Sequence, residues 1–181
     1  MISIKSKIIR PLLNFYFLHP EHSFYVNEIA RRFNIDKRNL VRKLKELEKE
    51  GLFVSKVSGN QRYYSLNKKY PLYKEYRNIF MKTVGIEEKL KSALSDIEGI
   101  KEAYIYGSYA RDNMDAFSDI DIIIIGSHDT IMIQKEISKL QKDIDREINL
   151  INIGLKEFND KKNSRDPFIL DIFKNKNIKI I

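Results

Sequence analysis

The sequence predicts an α+β chain in two parts: a basic, mostly helical first part closed by a hairpin, then a second part built on a small mixed sheet. Three observations predict it. Apolar residues recur at helical spacing through residues 37–50, and a glycine then hands the chain to two short extended runs. Further on, Ile122–Ile125 set four β-branched residues in succession, which suits a strand buried on both faces. Charge is also uneven. Residues 1–75 hold 16 Lys/Arg against 7 Asp/Glu, and residues 76–181 hold 17 against 18, so the net +8 belongs to the first part.

In the first part, residues 4–18 place Ile8, Leu12 and Phe15 at helical spacing, with Pro11 near the helix start or kinking it. Phe24-Tyr25-Val26 is a short extended piece. Asn27 is placed to cap a helix over residues 28–33 with Ile29, Ala30 and Phe33 inward. After a turn at Asn34-Ile35, Asp36 caps the helix over residues 37–50, which Gly51 ends. Leu40, Val41, Leu44 and Leu47 form its buried stripe, and Arg38, Asn39, Arg42, Lys45 and Lys49 its opposite face. Residues 52–57, a tip over 58–62 and a return strand over 63–66 make a hairpin with a Gly59-Asn60 turn.

This order of elements resembles the winged helix-turn-helix of bacterial and archaeal transcriptional regulators of the ArsR or MarR kind. The resemblance covers residues 1–70. It implies that the 37–50 helix enters the major groove of double-stranded DNA with the hairpin beside it. Arg38, Asn39 and Arg42 would then read bases, since Arg suits guanine and Asn suits adenine, while Lys45, Lys49 and Arg62 hold phosphates. A regulator of this kind binds a two-fold site as a homodimer. The plainer account of the same charges is a solvated helix face, and winged helices also dock proteins.

Residues 67–71 carry the breakers, and Pro71 opens a connecting segment over 71–84, helical through Lys82, with Leu72, Tyr76, Ile79 and Phe80 on one side. The second domain takes residues 85–181. An amphipathic helix over 86–98 (Ile86, Leu90, Leu94, Ile97) is closed by Gly99 and feeds a strand over 103–106. Beyond the isoleucine run and a turn over 126–129, residues 130–144 form a helix with Ile133, Ile137, Leu140 and Ile144 inward. A strand over 147–153 follows, then short helices over 155–162 and 167–174. The second of these has Asp166 as cap and Pro167 at its first position. Residues 178–181 add an edge strand. Helices on one side of the sheet are expected.

The chemistry concentrates between residues 103 and 125. Gly107-Ser108 ends the first strand; the glycine allows a tight turn and close approach to a bulky ligand, and bare N–H groups after it suit phosphate. Asp119 and Asp121 lie two apart at the start of the isoleucine strand, hence on one face and about 7 Å apart. Two such carboxylates are costly unless a cation lies between them, and oxygen ligands shared with substrate phosphates suit Mg2+.

Gly-Ser, a spacer, then Asp-x-Asp on the next strand resembles the nucleotidyltransferases of the DNA polymerase β superfamily, especially the minimal ones. The resemblance implies that Gly107 and Ser108 hold an NTP triphosphate, that Asp119 and Asp121 are catalytic metal ligands, and that Arg111 completes a Gly-Ser-x-x-Arg form. The family's third carboxylate, on a neighbouring strand, falls at Asn149. An amide brings no charge and cannot act as a general base. Glu147, two residues earlier, could substitute only if the register slips.

The expected function is a DNA-binding transcriptional regulator whose second domain senses Mg-nucleotide. The alternative is an active nucleotidyltransferase that moves NMP from an NTP to a hydroxyl, the first domain positioning a nucleic-acid or protein partner. A structural protein needing no ligand is the third reading. The absence of cysteine excludes disulfides and thiolate zinc sites. His19, His22 and His128 lack metal spacing. With Arg10, Pro11 and Asn14 interrupting the first apolar stretch and no window of membrane length, a soluble cytoplasmic protein is expected.

Overall fold

In the computed structural model, which describes residues 6–115 and 118–181, the chain divides into two units, Met1–Gly85 and Ile86–Ile181. The first contains α1 (Ile9–Leu18), β1 (Phe24–Tyr25), α2 (Val26–Phe33), α3 (Lys37–Lys49), β2 (Phe53–Ser58), β3 (Gln61–Leu66) and α4 (Tyr73–Thr83). The predicted helix start at Ile4 lies outside the described residues. Pro11 sits in the first turn of α1, where no intrahelical partner is lost. Leu12, Leu13, Tyr16, Phe17 and Leu18 are all buried, and the Tyr16 hydroxyl donates to the Tyr64 carbonyl at 2.9 Å, tying α1 to β3.

Three boundaries differ from the sequence reading. Tyr25 pairs with Tyr63 across β1 and β3, and this extended residue is itself the N-cap of α2, so Asn27 lies inside the first turn and caps nothing. The hairpin turn is tighter than expected. Ser58 pairs with Gln61, leaving Gly59 (φ 56°) and Asn60 as the two-residue loop, so Arg62 stands on β3 opposite Val57. Asp36 caps α3 as expected, accepting from the Asn39 N–H at 3.0 Å. Helix α4 begins at Tyr73, past Pro71, and buries Arg77, Phe80 and Met81, while Leu72 and Ile79 are about half exposed. Phe80, a member of the expected stripe, rests against Phe17, ring centroids 5.7 Å apart.

The second unit contains α5 (Ile86–Ser95), β4 (Ile100–Tyr106), α6 (Gly107–Ala110), β5 (Ile120–Gly126), α7 (Thr130–Ile144), β6 (Ile148–Ile153), α8 (Leu155–Asn163), α9 (Pro167–Lys174) and β7 (Ile178–Lys179). The sheet order is β6-β5-β4-β7; β5 and β6 run parallel and the other pairs antiparallel. Ile122–Ile125 are fully buried. Alternation sends Ile123 and Ile125 to one face, where they pack with Ile153, Phe158 of α8 and Ile169 and Ile172 of α9. Ile122 and Ile124, equally buried, face the other way, the side left to α5 and α7. Helices therefore cover both faces, a correction to the one-sided expectation. Four isoleucines in a row already require it, since each face contributes two side chains that water must not reach.

Candidate active site

The site lies at the end of the face covered by α8 and α9. Register places three residues side by side across the sheet: Tyr106 opposite Asp121, and Asp121 beside Asn149. The next row inward, Tyr104, Ile123 and Ile151, is apolar apart from one hydroxyl and packs under the helices. Polarity thus begins where the helical cover ends.

Asp119 and Asp121 converge as the two-residue spacing predicted. The Asn149 amide donates to both, reaching Asp119 Oδ2 at 3.3 Å and Asp121 Oδ1 at 3.2 Å. One amide NH2 thereby stands between the two carboxylates, where a cation would meet both. Glu147 is exposed, one residue before β6, and its carbonyl accepts from the Ile120 N–H at 3.0 Å. No group of three or more His, Cys, Asp or Glu fit to hold a metal occurs among the described residues.

Gly107 ends β4 at φ +71°, in the left-handed region. A Cβ on it would stand 2.1 Å from Asp121 Oδ2, so the turn touches the carboxylate pair through bare backbone. The buried Tyr109 anchors this turn, its hydroxyl donating to Glu87 Oε1 of α5 at 3.2 Å. Ser108 is half-buried in the turn, and Arg111 is exposed at its end, its N–H donating to the Gly107 carbonyl at 3.3 Å.

Two residues of the site escaped the sequence reading. Tyr106 is pushed up to about 12, first by burial and then by the Asp121 charge. Its ring meets Phe168 of α9 edge-on at 6.0 Å. A tyrosine directly before Gly107, in phase with Asp121 once β4 and β5 pair, was the available signal. Arg146, between α7 and β6, is 8% exposed. Its guanidinium donates to the Ser118 carbonyl and, at 3.3 Å, to that of Asp115, holding the loop that delivers Asp119. Burial lowers its pKa while the charges of Asp119, Asp115 and Asp145 oppose the shift, so it remains a fixed cation.

In the first unit, Arg38, Asn39, Arg42, Lys45 and Lys49 are all exposed on α3. Arg62 stands 3.9 Å from Glu48, a loose surface pair. No helix among the described residues is long and apolar enough to cross a membrane.

A metal of oxygen-only taste fits these residues: two half-buried carboxylates, an amide whose half-turn would present oxygen in place of N–H, and a glycine that leaves the approach clear. Paired acids thus stand beside a side-chain-free turn on a small mixed sheet. The family described as nucleotidyltransferase domain matches residues 87–180, just over half of the chain, and the chain belongs to that family. No curated protein sequence matches it. Among solved structures, a toxin–antitoxin with AMP-PNP shares 21% identity over 52% of this chain and 72% of its own, at a TM-score of 0.39. A tri-AMPylated Shewanella oneidensis HEPN toxin in complex with MNT antitoxin shares 20% identity over 52% and 68%, at a TM-score of 0.35. Likenesses this loose transfer neither substrate nor partner.

Proposed function

We propose that this chain is a nucleotidyltransferase that moves NMP from a magnesium-bound NTP to a hydroxyl on an acceptor. The observation that carries the reading is the contact of the Gly107 turn with Asp121, inside a segment that belongs to the nucleotidyltransferase domain family. This reverses the order expected from sequence, in which the regulator came first. The family match covers the second unit and favours the transferase.

Asp119 and Asp121 would hold the magnesium, which supplies charge neutralisation for the triphosphate and its leaving oxygen. The Gly107-Ser108 turn, lacking a side chain at its apex, receives the phosphates, and exposed Arg111 is placed to meet them from the end of α6. In the transfer, the acceptor oxygen bonds to the α-phosphorus, the bridging P–O bond breaks and pyrophosphate leaves. The hydroxyl proton passes to Asp119, Asp121 or water, since the Asn149 amide cannot take it. Arg146 keeps the Asp119 loop in place throughout.

The first unit is read as the acceptor-positioning module. Its element order supports a winged-helix reading of residues 1–70, and the exposed basic face of α3 supports nucleic acid as what it docks. Incubation with each α-labelled NTP, magnesium and either duplex DNA, RNA or cell protein tests the proposal. Label transfer that Asp121→Ala abolishes is the expected result; no transfer to any acceptor class returns the chain to nucleotide sensing.

A further inference from the structure

The formal charges around the paired acids do not match those of a two-metal centre. Asp119 and Asp121 supply two negative charges, while Arg146, buried and fixed by the Ser118 and Asp115 carbonyls, faces the charges of Asp115 and Asp145 as well as that of Asp119. The third partner, Asn149, adds hydrogen bonds and no charge. A two-metal clamp brings its cations within about 3.5–4 Å of each other and needs anionic ligands to offset their repulsion. Two anionic side chains, and no third, are available there before substrate arrives. One dication is matched by that pair, and a second would meet an amide where it needs a carboxylate.

We propose that Asn149 restricts this site to a single divalent cation, held by Asp119 and Asp121 where the Asn149 amide NH2 now bridges them. The inference rests on the nucleotide reading of the site and specifies its metal content. The bridge is displaceable: at 3.2–3.3 Å both bonds sit at the long end of the hydrogen-bond range, and rotation of the amide presents Oδ1 to the incoming ion. Asn149 is a positioning residue here, and its identity sets how many ions the triphosphate meets.

Manganese titration of the full chain with saturating AMP-PNP, followed by electron paramagnetic resonance, reads the stoichiometry directly. The wild-type chain is expected to take one ion, with an isolated-ion spectrum. Asn149→Asp is expected to take two, with spin coupling between them. Two coupled ions in the wild type overturn the proposal while leaving nucleotide binding intact, and so does one ion in a folded Asn149→Asp. Where AMP-PNP does not bind, the non-hydrolysable analogues of the other NTPs replace it, and a wild-type chain that takes none of them sinks the functional reading and this inference with it. The wild-type stoichiometry needs no variant, so misfolding of Asn149→Asp cannot shelter the proposal.

Discussion

Gly107 and Asp121 are in contact through empty space: the position a Cβ would take on residue 107 lies 2.1 Å from Asp121 Oδ2. The glycine is thereby bound to the site by sterics as well as by its φ of +71°. Gly107→Ala is expected to fold, because a carboxylate end can swing aside, but to lose about 1–3 kcal/mol from the left-handed backbone. The swing removes Asp121 from the cluster, so AMP-PNP affinity should fall by more than tenfold. Thermal unfolding and calorimetry on the same preparation separate the two effects.

Asn149→Asp places a proton acceptor and a third charge beside Asp121. If transfer is limited by the missing base, the rate should rise by roughly a hundredfold or more, within the range of general-base effects. Single-turnover label transfer measures it. An unchanged rate would mean that water or the acceptor itself disposes of the proton.

Arg146→Met removes a buried cation and leaves the Ser118 and Asp115 carbonyls without their donor. Lost charge-assisted bonds of this kind cost about 2–3 kcal/mol. Urea unfolding should show that loss, and metal affinity should change too, since the loop presenting Asp119 is no longer held. A stability loss with unaltered metal binding would separate the anchor from the site.

Much of this site was legible in the sequence, for a local reason. Gly107-Ser108 and Asp119-x-Asp121 are short-range patterns whose spacing fixes their faces, and the Ile133, Ile137, Leu140, Ile144 stripe of α7 is read the same way. Asn149 as the third member depended on a resemblance, because the Asp121–Asn149 register is a parallel pairing across a whole helix. Tyr106 and Arg146 depend on contacts that spacing does not encode. Boundaries failed where tertiary pairing overrode a local signal, as when β1–β3 pairing made Tyr25 the cap in place of Asn27.

Tyr106 links the site to alkaline stability. Its pKa rises from 10.0 to about 12 in the folded chain, so folding favours the protonated phenol. The stabilisation is complete below the unfolded value and is lost as pH climbs from about 10 through about 12. Tyr106→Phe should flatten that part of the stability profile, and Asp121→Asn should lower the Tyr106 pKa without returning it to 10.0, since burial is the larger cause. Urea midpoints across this pH range check both.

The basic face of α3 makes a separable prediction for the first unit. If it docks duplex nucleic acid, Lys45→Ala and Lys49→Ala should each lower the slope of log affinity against log salt by about 0.9. Both should leave AMP-PNP affinity unchanged. Filter binding at several salt concentrations measures the slope.

Calorimetric titration of the full chain with each NTP, with and without magnesium, bears most directly on whether the Asp119–Asp121 pair grips a metal-loaded triphosphate. The account predicts binding that requires magnesium and disappears in Asp121→Ala. Binding of equal strength without magnesium, or surviving in Asp121→Ala, would contradict it.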